Sequence, residues 1–263
     1  MINSNRVEAI VIRYFLYFRH NLDRLSDMFY WPAMDLLIWG LTGLYLASLG
    51  VQQTEYVFVI LNGLVFWIIM WRVQYEININ ILSEIWDKNF VNIFASPLTI
   101  WEYLVALMSV GFIKMVISLS FSAILAFALY GYNIISLYGY LLLPIIMNLL
   151  LTGWAVGFFI AGFLIRYGAR IQSIGWTGIA LIAPFSVLYY PLSILPDWAQ
   201  KIALAVPSTY IFEGMREIIF TGKFSEDKLL ISFALNGVYL VLSILFFVFM
   251  FRQSRKLGLG RLI

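Results

Sequence analysis

Charged side chains set inside apolar sequence are the first candidates for chemistry in this chain. Lys114 lies ten residues into an apolar run that begins at Leu104. A lysine there is costly in lipid, so it is either functional or extends its stem towards an interface, and both readings stay open. Glu213, Arg216 and Glu217 are spaced by three and four residues and share one helix face. They form a surface ion pair, or a buried gate element if their helix dips into a membrane. Asp35 sits near the start of another apolar run, where the helix N-terminus tolerates a carboxylate. His20 is the only histidine and cysteine is absent. Disulfides, thiolate metal sites, iron–sulfur clusters, thiol nucleophiles and multi-histidine metal sites are thereby excluded. There is no P-loop, Rossmann glycine fingerprint or zinc-protease helix. No catalytic residue, metal site or cofactor is expected in this chain, and any energy from ATP has to arrive through a partner.

These residues must be positioned by helices in lipid. Hydrophobic residues make up 62% of the chain and charged residues 12%, against about half and about a quarter in ordinary globular proteins. A helix needs about 20 apolar residues to span the hydrocarbon. Six runs qualify: 29–49, 56–72, 104–130, 137–165, 171–191 and 229–251. They are continuous rather than alternating, which argues against a barrel. Arg13, Arg19, Asp23 and Arg24 interrupt the N-terminal apolar residues, so no signal peptide is expected. The basic residues flank the runs, which suits membrane orientation and not nucleic-acid binding.

With a cytoplasmic N-terminus, twelve of the 17 Lys and Arg residues fall on the inside segments, and the two short outside loops carry none. Both termini are therefore expected in the cytoplasm. Arg6, Arg13, His20, Arg24 and Asp27 fall on one stripe of a helix over 5–27. That helix is expected to lie on the membrane with its charges among the headgroups. The 73–103 stretch is expected to be a cytoplasmic loop that begins polar at Gln74, Glu76, Asn78 and Asn80. A helix over 84–95 follows, with Trp86, Phe90, Ile93 and Phe94 on one face and Glu84, Asp87 and Lys88 towards another. Thr99 and Glu102 then form a capping box for the third span. Between the fifth and sixth spans, Pro191, Pro196 and Pro207 delimit apolar pieces over 198–206 and 210–220. These are too short to span and are expected to re-enter the outer leaflet. Gly153, Gly157 and Ala161, spaced by four, allow close helix contact. Trp31, Trp71, Trp101, Tyr189 and Tyr190 mark span ends.

Several stretches together resemble the permease subunits of ABC-2 type exporters. They are Phe94-Ala95-Ser96-Pro97-Leu98 with Glu102-Tyr103, Arg170-Ile171-Gln172, Leu195-Pro196-Asp197-Trp198, and Pro207-Ser208-Thr209-Tyr210 with Phe212-Glu213-Gly214-Met215-Arg216. The resemblance covers nearly the whole chain. It implies an all-α integral membrane fold: six transmembrane helices, an N-terminal interfacial helix over 1–28, a transmembrane domain over 29–251 and a basic cytoplasmic tail over 252–263. It also implies a cytoplasmic coupling helix carrying Glu84, Trp86, Asp87, Phe90 and Phe94. Re-entrant external helices would carry the gate residues Pro207, Tyr210, Glu213 and Arg216.

The implied partners are two copies of an ABC ATP-binding subunit, which hold MgATP, and a second permease chain. A homodimer in the plasma (inner) membrane is the expectation, and a heterodimer stays open. The implied function is export of a drug, a lipid-linked glycan or a polysaccharide. An ion-driven secondary transporter and a non-transporting scaffold are the alternatives.

Overall fold

A computed structural model describes residues 2–49, 54–256 and 258. All regular elements among the described residues are helical. Four stretches are long and apolar enough to cross a membrane: Glu55–Trp86, Ile100–Tyr130, Ile134–Ser186 and Glu226–Lys256. The first expected span is absent from that set, although it is helical. Its Tyr, Trp, Pro and Asp residues dilute its apolar character.

The N-terminal part is two helices instead of one. Helix α1 (Ser4–Arg19) is capped by Asn3, and α2 (Leu22–Ser48) by Asn21, whose side chain accepts from Arg24 N. The expected helix over 5–27 is thus broken at His20 and Asn21, and α2 runs through the boundary placed at 28. The charged stripe also points the other way from expectation. Arg6, Arg13, Arg24 and Asp27 all bond to later parts of the chain. Ile12, Leu16 and Tyr17 are left exposed. Charges next to fixed protein partners gain more than they would from mobile headgroups.

Pro32 lies inside α2 and is buried. A proline cannot donate to the carbonyl four residues back. That carbonyl, on Met28, instead accepts from Ser118 Oγ at 3.4 Å.

Helix α3 (Thr54–Trp86) is the central element. Its 33 residues rise about 50 Å, whereas the hydrocarbon core is about 30 Å thick. The second expected span, 56–72, is only its first half. Gln74, Glu76, Asn78 and Asn80 do not start a loop. They continue the helix and are buried. The turn after α3 spans only 87–89, with Lys88 in the left-handed region at φ 54°. Helix α4 (Phe90–Ala95) follows, so the expected single helix over 84–95 is broken in its middle. Helix α5 (Ile100–Tyr130) opens on the full Thr99–Glu102 capping box and ends at Gly131, whose φ is 67°.

The short α6 (Ile134–Tyr138) precedes α7 (Leu142–Tyr167). A Cβ at Gly153 would lie 2.9 Å from Met70 O, and one at Gly157 would lie 2.9 Å from Ile77 Cδ1. The small-residue stripe therefore brings α7 close against α3. The fifth expected span, 171–191, is not one helix. It comprises short 3-10 turns around α8 (Gln172–Thr177). Two short helices, α9 (Asp197–Ala203) and α10 (Pro207–Thr221), precede α11 (Glu226–Lys256). Half of the expected tail over 252–263 lies outside the described residues. Its Arg252, Arg255 and Lys256 belong to α11.

Candidate functional site

The two ends of α3 organise two clusters of polar side chains, and a third lies between them. At the α4 end, α1 is tied down by buried acids. Arg13 Nη2 lies 2.8 Å from Glu84 Oε1. Asn89 Nδ2 donates to Glu84 Oε2 at 2.8 Å. Partial burial works against the Arg13 charge, but Glu84 overcomes it and raises the Arg13 pKa above the ordinary arginine value. Glu102 accepts from Asn3 N at 2.9 Å and from Thr99 N at 2.8 Å. Arg6 Nη1 donates to Pro97 O at 2.6 Å.

The five residues expected to couple to an ATPase are not on one face. Glu84 and Phe90 are buried and Phe94 is half-buried against Phe251. Trp86 and Asp87 are exposed, together with Lys88, Val91 and Asn92. The helix break explains the split: the left-handed Lys88 turns the chain, so the 3.6-residue period does not carry from Trp86 to Phe90. Trp86 Nε1 donates to Gln172 Oε1 at 3.1 Å. The exposed corner therefore contacts the start of α8.

About two helical turns along α3 from Glu84 lies a network that sequence reading missed in part. Lys114 Nζ donates to Glu76 Oε2 at 2.7 Å and sits 4.1 Å from the Phe18 ring centroid. Lys114 is fully buried, so its stem does not reach out to an interface. Glu76 Oε1 is 3.6 Å from Arg72 Nη1, which donates to Asp27 Oδ2 at 3.1 Å. Two cations and two anions therefore balance. The available signal was Arg72 and Glu76, spaced i and i+4. Assigning 73–80 to a loop concealed it.

At the α10 end, Pro207 occupies the first turn of α10, where its missing N–H costs nothing. Its carbonyl accepts from Ser232 Oγ at 2.7 Å. Tyr210 Oη donates to Leu204 O at 2.8 Å. Arg216 Nη1 donates to Glu213 Oε1 at 2.6 Å, and its Nη2 donates to Val187 O at 2.6 Å. Glu213 Oε1 also accepts from Leu192 N at 2.7 Å. Val187 has φ 49°, a strained value for a β-branched residue. The Glu213–Arg216 pair thus holds the irregular 187–192 chain on both sides. Glu217 does not join it and pairs instead with Lys228 and Ser225. A second missed cluster lies close by. Asn236 Nδ2 donates to Asn148 Oδ1 at 2.7 Å, and Thr152 Oγ1 donates to Asn236 Oδ1 at 2.9 Å. Lone amides in apolar spans were its signal.

Among the described residues no three metal-ligating side chains come together. Among the described residues these polar side chains bind segments to one another. No curated protein matches the chain. The family model for ABC-2 type transporters matches residues 10–220. That range takes in α1 from Ile10, the paired charges around α3 and all of α10 up to Phe220. The chain is a multi-pass membrane protein that belongs to the ABC-2 type transporter family, as one of its non-catalytic permease components.

Proposed function

We propose that this chain is the membrane half of an ATP-driven exporter. In this reading it crosses the plasma membrane six times and has both termini in the cytoplasm. The crossings are α2, α3, α5, α7, the irregular 168–190 segment and α11. Non-helical backbone at membrane depth is tolerated where protein lines it, as α3 and α10 do here. α9 and α10 then form a re-entrant external gate, and α1 lies along the cytoplasmic surface with Ile12 and Leu16 towards lipid.

The observation that carries the reading is the exposed corner of Trp86, Asp87, Lys88, Val91 and Asn92. It lies at an end of the molecule where buried acids on α3 and α5 hold half-exposed arginines of α1. A protruding knob on a rigid base can pass a push from a docked subunit into α3. That subunit is an ABC ATP-binding protein carrying MgATP, present in two copies beside a second permease chain. ATP shifts the permease only so far as it binds one ATPase arrangement better than another. The long α3 would relay that shift to α10, which packs against its start.

The test co-expresses this chain with candidate ABC ATP-binding subunits from the same genome and purifies it. The chain and one such subunit are expected to co-purify, and permease binding is expected to change the ATPase rate. Trp86→Ala combined with Val91→Asp is expected to abolish both effects while the chain still inserts into membranes. Substrate movement by this chain without any ATPase would overturn the proposal.

A further inference from the structure

A cavity of ≈ 210 Å³ opens on the side of the bundle where α2 meets α3. Trp31, Asp35, Leu64, Trp67, Trp71 and Ser122 are among the residues that line it. Asp35 differs from the acids of the polar clusters. Asp27 and Glu76 each have a cationic partner, and so does Glu213. Among the described residues Asp35 has no cation within 4.0 Å and no hydrogen-bond donor. Its carboxylate is exposed on the wall of the cavity.

A bare carboxylate facing lipid is strongly disfavoured, so an intramembrane acid is expected to have a partner. The neighbouring side chains indicate what kind. The negative face of an indole attracts a cation within about 6 Å, most strongly when the cation is stripped of water. Trp71 already has Arg72 4.9 Å from its ring, whereas Trp31 and Trp67 have no cation over them among the described residues. Trp31 is 54% exposed, so its ring is open to an incoming group. Leu64 and Ile68 supply an apolar wall suited to a hydrocarbon tail.

We infer that this cavity binds the ammonium group of an amphiphile, with Asp35 as counter-ion and Trp31 and Trp67 against the cation. The inference rests on the proposed reading in taking α2 as a membrane crossing, which sets Asp35 in lipid, and in taking this ligand as cargo or as a bound lipid; it does not depend on an ATPase. The ammonium can come from a cationic cargo molecule or from an aminophospholipid headgroup.

The experiment measures binding of radiolabelled dodecyltrimethylammonium to the purified full chain in nanodiscs without an ATPase. Its competitors are the unlabelled cation and the neutral analogue with carbon in place of nitrogen. The cation is expected to compete at least about tenfold better than its neutral analogue, since cation–π attraction strengthens when the cation is desolvated. Asp35→Asn and Trp67→Leu are each expected to weaken binding about tenfold, and Asp35→Glu to restore part of it. Asp35→Asn removes no contact within the bundle, so its size-exclusion profile stays that of the parent. Nanodiscs containing phosphatidylethanolamine distinguish the two sources: suppressed binding there assigns the site to a lipid headgroup, and unchanged binding assigns it to cargo. Equal competition by the neutral analogue, or unchanged binding to Asp35→Asn, overturns the inference. Failure to co-purify with an ATPase would refute the permease reading alone.

Discussion

Replacing Lys114 with Met removes one charge from a buried group of four. The parent network balances Asp27 and Glu76 against Arg72 and Lys114. In Lys114→Met, Glu76 keeps only Arg72, at 3.6 Å, and Arg72 is already engaged by Asp27 at 3.1 Å. Breaking a buried pair from one side costs about 3–5 kcal/mol, because the remaining charge stays desolvated. For a chain of this size that corresponds to a drop of about 10 °C in Tm. Replacing both partners, Lys114→Met with Glu76→Met, restores neutrality and leaves the Arg72–Asp27 pair intact. Removing a whole buried pair is often close to neutral, so the double variant is expected to recover most of the loss. Glu76→Met alone should fall between them, since the Phe18 ring at 4.1 Å still faces the stranded ammonium. That contact is worth about 1–2 kcal/mol. The assay is thermal unfolding of the detergent-solubilised chain, followed by fluorescence-detected size exclusion. A double variant as unstable as the sum of the two singles would refute the reasoning, because the two charges would then act independently.

Three further outcomes follow from contacts elsewhere. Gly153→Val places atoms within 3 Å of the Met70 backbone. It should destabilise the bundle by about 1–3 kcal/mol, with Gly153→Ala milder, in the same thermal assay. Arg216→Lys should reduce transport nearly as much as Arg216→Leu, since an ammonium does not reproduce the fork that bridges Glu213 and Val187 O. Transport assays on variants matched for membrane insertion check this. Thr99→Ala removes the cap of α5 and should cost about 1 kcal/mol, read as a small Tm shift with coupling to the ATPase unchanged.

Composition and run length made the helical membrane class legible, and spacing alone identified the Gly153–Gly157 stripe and the Thr99–Glu102 cap. Three features were hidden for physical reasons. The second half of α3 reads as a polar loop because hydropathy scores Glu76 and Asn78 as exposed. Burial becomes tolerable only when Lys114, thirty-eight positions away, supplies the counter-charge. The broken fifth segment reads as a helix because its residues are continuously apolar. Its 3-10 turns depend on contacts with α3 and α10 that no local pattern carries. The stripe on α1 was recognised, but a stripe gives no sign of which environment it faces. Arg13 has its partner in Glu84, on α3 beyond the whole of α2. At the candidate site, Glu213 and Arg216 were legible because they are neighbours on one helix, whereas Val187 O, their third member, is a backbone atom.

The inward-facing charges of α1 also constrain how the protein is made. Arg13 waits for Glu84, 71 residues later, and the amide of Asn3 waits for Glu102, 99 residues later. At about 5–20 residues per second the chain needs on the order of 5–20 s to supply these partners. During that interval α1 has emerged with its arginines uncompensated, and in the proposed orientation the membrane surface beside it attracts them. Docking of α1 therefore marks the point at which α3 and the start of α5 have both been made. A chain halted before Glu84 would leave α1 without either of its acidic partners.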